Sequence, residues 1–323
     1  MHMADALLSP IVAITMFAST TVVAGYSVKK LNKENDNKKI PIMGIMGAFV
    51  FASQMINFTI PGTGSSGHIS GAFLLAALLG PEAAFLTMIS VLLIQCLIFA
   101  DGGLLALGAN IWNMAFYGCF VGYYLIYKPI MKNGITNKKL VITSIIGCVL
   151  ALELGAFSVT IQTTLSNITE LPFKLFVSTM LPIHIAIGLV EGLITQAVLI
   201  FINNTRPELL KLNTNLNNRF SFKKAAIVIV STTIIIASGL SLAASSLPDG
   251  LEYSVQTVLN DDELINPNSN IYDTTTNIQQ TTSLLPDYEN TSFSGFVGVS
   301  IILLLSGFVS IVIKRKGLIK VNE

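Results

Sequence analysis

Residues 69–82 read ISGAFLLAALLGPE, and the number of times the chain crosses a membrane turns on them. A spanning helix needs about 20 apolar residues, because the hydrocarbon core is about 30 Å thick. Only 12 residues, 69–80, precede Pro81, and a second apolar run, 82–99, follows at once. The two runs make either one crossing or two with a turn at Gly80-Pro81-Glu82. The charges decide. Of the 19 Lys and Arg, 18 fall in four clusters, 29–39, 128–139, 206–224 and 314–320, with Lys174 the exception. Cytoplasmic segments collect Lys and Arg, and all four clusters reach one side only if 69–80 and 82–99 cross separately.

Working outward gives nine predicted crossings: 10–28, 42–58, 69–80, 82–99, 104–127, 140–165, 173–203, 225–245 and 295–313. The expected fold is an all-α polytopic membrane protein with the N-terminus outside and the C-terminus inside. Residues 1–203 form a seven-helix membrane domain, 204–224 a basic cytoplasmic linker and 225–323 a two-helix module. Composition agrees: 52% of the 323 residues are hydrophobic and 11% charged, with a mean hydropathy of +0.69, against about 25% charged in a soluble domain. Segment 246–293 has eight carboxylates, no Lys or Arg, and much Asn, Ser and Thr. It reads as a polar, partly disordered extracytoplasmic loop. Such a loop offers no selective site, so removing 260–285 is expected to leave binding elsewhere in the chain nearly unchanged. Cys96, Cys119 and Cys148 lie in apolar runs and read as small hydrophobes.

The start, MHMADALLSP, has no basic residue and carries Asp5, unlike a cleaved secretory signal, and is expected to stay. Ser9-Pro10 suits a helix start, which leaves residues 1–8 as a short strand on the outer face. The α-amine of Met1, the amide nitrogen of His2 and His2 Nδ1 can close two fused chelate rings on one metal. A fourth in-plane nitrogen completes a square-planar site, the geometry of Ni(II) or Cu(II). The donor at hand is His68, which ends the outer loop 59–68, TIPGTGSSGH. The chain has three histidines, and two share this face. Asp5, Ser66, Asn110, Asn113 and His184 are candidates for the groups around the ligands. Asp101, Asn110 and Asn113 would orient His2 or His68 by hydrogen bonds, and His184 is either a core histidine or a group beneath the metal. Glu153 and Glu191 read as internal polar contacts or coupling elements. Gly44, Ala48 and Ala52 form a small-residue stripe for packing within the chain or for docking a partner.

Other chemistries are excluded. GTGSSGHI, 62–69, has the glycine spacing of a phosphate loop, but His68 and Ile69 stand where Lys and Ser/Thr are required. No H-E-x-x-H is present. No catalytic residue, resident cofactor or nucleic-acid partner is expected.

Five ordered motifs, MHMADALLSP, GTGSSGHISGAFL, FADGGLLALGANIWNMA, LPIHIAIGLVEGLIT and SSLPDGLE, resemble the CbiM/NikM family. These are the substrate-binding components of energy-coupling-factor transporters for cobalt and nickel. The resemblance covers about 1–203, and the tail with PDGLE (Pro248 to Glu252) resembles the family's small N component, fused here. It implies Ni2+ or Co2+ as transported substrate, held by Met1, His2 and His68. It further implies a membrane T component and ABC ATPases as partners, lipid around the helices, and the plasma membrane of a prokaryote. After Met-His the family pattern continues differently from MADA, which leaves nickel against cobalt open. A stand-alone ion-coupled carrier is the alternative, kept by Glu153, His184 and Glu191.

Overall fold

The computed structural model describes residues 1–34, 39–205, 207, 210, 222–259 and 264–315. Much of the basic linker 204–224, parts of two other basic clusters and residues 260–263, three of them acidic, lie outside these.

The regular structure of the described chain is helical apart from one short hairpin and an isolated bridge between Ser66 and Asp249. A 3₁₀ turn, Asp5–Leu7, precedes α1 (Pro10–Glu34) and α2 (Lys39–Gln54). Strands β1 (Phe58–Ile60) and β2 (Ser65–Gly67) pair antiparallel, with Phe58 opposite Gly67. Then come α3 (Ala72–Leu79), α4 (Pro81–Phe99) and α5 (Leu107–Ile111). The last runs on through a π-helical stretch, Trp112–Tyr127, into α6 (Lys128–Met131). Next are α7 (Asn137–Ser166) and α8 (Phe173–Thr205), then α9 (Phe222–Ser238), α10 (Gly250–Leu259), α11 (Asn270–Thr282) and α12 (Thr291–Arg315). Helices α1, α4, α7 and α8 are long and apolar enough to cross a membrane; α2 and parts of α9 and α12 are shorter apolar helices.

The deciding stretch folds as two pieces. Gly80, at φ 81°, ends α3, and Pro81 opens α4, a Gly-then-Pro division that follows from glycine's free φ and proline's missing N–H. Helix α3 is shorter than expected, because Ile69–Gly71 are not helical. Eight residues rise about 12 Å, so extended chain and helix together make this passage. Helix α3 is apolar all round because it is buried all round, with Phe73, Leu74, Leu75 and Ala76 at 0–1% exposure. Just past the turn, Glu82 accepts from Lys30 and from Tyr124 Oη (3.1 Å). Lys30 is 20 residues beyond Pro10, or about 30 Å along α1. The Gly80 turn therefore lies at the opposite end of the bundle from the chain start.

The small-residue stripe serves the chain itself. Ala48, Ala52 and Phe51 share a buried cluster with Ala237 of α9 and Val299 and Ile302 of α12. A Cβ on Gly44 would collide with Ser306 of α12. The C-terminal helices thus occupy the face of α2 that a partner was a candidate to cover.

Segment 246–293 is not the loose loop expected. It carries α10 and α11, and both have apolar faces: Leu251, Val255 and Tyr272 are at 2–3% exposure. Its polar composition hid two amphipathic helices.

Candidate metal centre

Residues 1–8 are inserted into the protein. Met3 and Leu8 are fully buried, and Ala6 and Leu7 nearly so. Asn110, on α5, grips Met3 as a neighbouring strand would. Its Oδ1 accepts from Met3 N (2.7 Å) and its Nδ2 donates to Met3 O (3.1 Å). Asn113 donates to Met3 Sδ (3.4 Å) and exchanges two hydrogen bonds with Gln162. Neither asparagine bonds a histidine ring, as was expected of them. Both hold the residue next to His2 instead. Asp5 accepts from Ala106 N (2.9 Å) and from Thr275 Oγ1 (3.0 Å), tying the strand to the α4–α5 loop and to α11.

The His2 ring is held at both nitrogens. Nδ1 lies 3.1 Å from Asp101 Oδ1, and Nε2 lies 3.3 Å from Gln95 Oε1. Asp101 thus faces Nδ1, the nitrogen expected to bind the metal, and in turn accepts from Tyr288 Oη (2.6 Å). The ring stacks on His68, with centroids 5.3 Å apart and planes at 25°. His68 follows β2, whose hairpin presents it to the chain start. Its Nδ1 donates to Ile69 O (2.9 Å); a carbonyl only accepts, so Nδ1 carries the proton and Nε2 keeps its lone pair. Burial, and then the Met1 ammonium, push His68 down to about 4. Burial also lowers His2, against the opposing pull of Asp101. Neutral imidazoles are what a metal requires.

The Met1 amine donates to Asp249 Oδ2 (2.6 Å). Asp249 belongs to the PDGLE motif and opens α10. Its Oδ1 accepts from Leu251 N (2.7 Å) and Glu252 N (2.9 Å), while Glu252 Oε2 accepts from Asp249 N (3.0 Å). This reciprocal pattern is a capping box, and it leaves Oδ2 free to face the amine. Burial pushes the Asp249 carboxyl up, but the ammonium and its hydrogen bond prevail and hold it well below the usual range. Burial, then Asp249, raise Glu252. Ser66 does not touch a histidine. Its N donates to Pro248 O (2.8 Å) and its Oγ to Leu247 O (2.7 Å), which lays the PDGLE segment beside β2.

Beneath Met1 is a small cavity lined by Met1, His68, Ser70, Met114, His184 and Asp249, with about 10 Å³ of free space. That admits one water-sized body. His184 donates from Nδ1 to Met180 O (2.7 Å) in its own helix. A Cβ on Gly250 would come 2.9 Å from Ile183 Cγ2 and 3.0 Å from His184 Cε1, so only glycine lets the PDGLE turn lie this close to α8. Glu191, one helical repeat beyond His184, accepts from Ser70 N, Ser70 Oγ and Gly71 N at 2.7–3.0 Å. It anchors the chain just after His68.

Among the described residues no three His, Cys, Asp or Glu side chains gather as a metal cluster. The nitrogen-rich set at this site draws on the main chain: the Met1 amine and His2 amide with the rings of His2 and His68. Asp249, Gln95 and Gln54 were missed from sequence. Asp249 sat among eight acidic residues of an apparently loose loop. The two glutamines had one visible signal, an isolated amide in an otherwise apolar run.

Comparison with known families agrees with this construction. The model described as CbiM, cobalt uptake substrate-specific transmembrane region, matches residues 2–209, and the PDGLE domain matches 223–315. A protein of Archaeoglobus fulgidus that carries the name fused nickel transport protein NikMN is 34% identical over 315 residues, covering 94% of this chain and 96% of the relative. A Methanococcus voltae protein carrying the name cobalt transport protein CbiM is 32% identical, covering 67% of this chain and 97% of its own. The crystal structure of a truncated transition metal transporter, 34% identical, superposes with a TM-score of 0.56 over 64% of this chain and 99% of the other. The chain is a multi-pass membrane protein, and it belongs to the CbiM family, with a PDGLE domain carried on the same polypeptide.

Proposed function

We propose that this chain captures Ni2+ or Co2+ on the outer face of a prokaryotic plasma membrane, as the substrate-binding component of an energy-coupling-factor transporter. The observation that carries the reading is the convergence of the Met1 amine, His2 and His68 in one buried place, with His68 Nε2 left unprotonated. The metal takes the amine, the His2 amide, His2 Nδ1 and His68 Nε2. Four nitrogens in a plane, one of them a deprotonated amide, favour Ni(II), and relatives carry names for nickel and for cobalt transport. In this reading the chain crosses nine times with its N-terminus outside, which puts the site on the outer face and the Lys30–Glu82 end on the inner one. Separate ABC ATPases and a membrane T component supply the energy and the coupling.

A stand-alone ion-coupled carrier is less well supported. It needs free ionisable groups inside the bundle; Glu191 and His184 are both engaged with backbone, and among the three candidates Glu153 alone has a buried oxygen, Oε1, without a hydrogen-bond partner. The deciding experiment is radiolabelled Ni2+ uptake into cells producing this chain with and without the ATPase and T subunits. Uptake that depends on those subunits is the expected result. Equal uptake by the chain alone would favour the carrier.

A further inference from the structure

After His68 the chain leaves the hairpin, and Ile69, Ser70 and Gly71 run through the protein without regular structure before α3 begins. The Ser70 and Gly71 N–H groups find no strand or helix partner there. One side chain from far along the sequence takes up both. Glu191 Oε2 accepts from Ser70 N (2.7 Å), and its Oε1 accepts from Gly71 N (2.9 Å) and Ser70 Oγ (3.0 Å). Gln54, at the end of α2, completes the hold by donating from Nε2 to Ser70 O (2.8 Å). Glu191 is 1% exposed, and among the described residues no Lys, Arg or His side chain pairs with it.

One of these bonds bears on the site. Ser70 N and Ile69 O belong to a single peptide unit, which is planar and trans, so its N–H and its carbonyl point in opposite directions. Glu191 holds one edge of that plane. At the other edge the Ile69 carbonyl accepts from His68 Nδ1 (2.9 Å). A carboxylate, one peptide and an imidazole therefore follow one another. Turning the peptide would break both bonds together, and in a buried place an unmade hydrogen bond is expensive. Metal-binding histidines are commonly steered by a carboxylate or a carbonyl at the second ring nitrogen; here the steering carbonyl is itself held by a carboxylate. We propose that Glu191 is a positioning residue that sets the angle of the His68 ring through the Ile69–Ser70 peptide and so aims Nε2 at the metal. This rests on the metal site proposed above.

Glu191 can hold a ligand still because its own helix is held. A Cβ on Gly188 would come 2.8 Å from Val149 Cα, and one on Gly192 would come 2.7 Å from Ile145 Cα. Helix α8 therefore lies close against the backbone of α7 on either side of Glu191. Ser70 Oγ has a different part. It adds a bond to the carboxylate without touching the peptide that bears on His68. Substitution can separate the two: alanine at 70 keeps the Ser70 N–H, whereas leucine at 191 leaves that N–H without its acceptor.

A double-mutant cycle on the full chain in detergent tests this, with Ni2+ as the probe and both affinity and the visible absorption of the Ni(II)-loaded protein as readouts. Glu191→Leu is expected to weaken Ni2+ binding about 10–100-fold, the usual scale for groups that orient a ligand, and to shift the Ni(II) absorption band. In a His68→Ala background the same substitution should change affinity by no more than about two-fold, the scatter of independent effects, and leave the band of the His68→Ala protein in place. Ser70→Ala should bind within a few-fold of wild type. An equal loss in both backgrounds, an unshifted band, or a Ser70→Ala loss as large as that of Glu191→Leu would overturn the proposal. A carboxylate that only ties α8 to the start of α3 costs the same with or without the ring. If the leucine protein does not fold, Glu191→Asp, which keeps the charge but retracts it by one carbon–carbon bond, carries the same cycle. His68→Ala with wild-type affinity would instead remove the ligand set itself, and this proposal with it.

Discussion

Asp249 Oδ2 and Met1 N are 248 positions apart in sequence and 2.6 Å apart in space. One oxygen of this carboxylate starts a helix and the other holds the chain's first nitrogen. An amine bound to a metal keeps two N–H bonds, so the contact can persist with the metal in place. In the proposed site it would also set a negative charge beside a dication whose ligands include one deprotonated amide.

Asp249→Asn keeps the size and part of the cap but loses the charge. Ni2+ affinity is expected to fall about 10-fold with the fold intact. Asp249→Ala should add about 1 kcal/mol of lost stability from the uncapped α10. Isothermal titration and thermal unfolding of the two variants separate these effects.

His68→Ala removes one ring from the site while Glu191 still anchors Ser70 and Gly71. The melting temperature should change little, and Ni2+ binding should drop at least about 100-fold, the upper end of what a lost outer contact costs. Equilibrium dialysis checks it, and unchanged metal content would exclude the proposed ligand set.

Inserting Ala after Met1 moves the amine away from His2 and needs room where Met1 is 6% exposed. A Cβ on Gly155 would already come 3.0 Å from Met1 Cε. The inserted protein and one with an uncleaved N-terminal tag should reach the membrane and fail to transport Ni2+. Full transport by the tagged form would show that the amine is not a ligand.

Acidification should release the metal, chiefly through the amine and the amide. His68, held down to about 4, is already neutral at pH 5 and does not compete there. Between pH 7 and 5 the logarithm of Ni2+ affinity should fall with a slope near two protons per metal; a slope near three would bring His68 in. Stability follows the same ring. Below its ordinary value of 6.5 the unfolded chain binds a proton at His68 that the folded chain refuses, so stability falls as pH drops from about 6.5 toward 4.

Deleting 265–282 removes α11 and three of its contacts: Thr275 to Asp5, Tyr272 Oη to Leu8 O (2.8 Å) and Gln279 Nε2 to Gly102 O (2.7 Å). Faster Ni2+ release is expected, several-fold or more, in contrast to the indifference that an acidic loop would predict. A chelator-chase measurement on wild-type and deleted proteins gives the rates.

The chelating end and the two-piece passage at 69–82 were legible because each depends on neighbours in sequence. Met1 and His2 are adjacent, and Gly80-Pro81 states its own break. His68 was found through composition, as a rare residue on the same face. Roles that need contact across the fold were not legible. Asn110 and Asn113 lie at the expected end of their helix, yet they hold Met3. Asp249 acts through a helix whose apolar face was masked by Asn, Ser and Thr. Gln54 and Gln95 meet each other and Ser70 only across the fold, from three separate stretches of the chain.

The span between Met1 and Asp249 has a consequence for biosynthesis. At about 5–20 residues per second, a ribosome needs roughly 12–50 s after making Met1 to reach the aspartate that will hold it. Late in that interval the nascent strand has Asn110, Asp101 and Gln95 available but no PDGLE turn above it. The contact between the two ends of this span is therefore among the last of the site to form, when α10 settles onto α8.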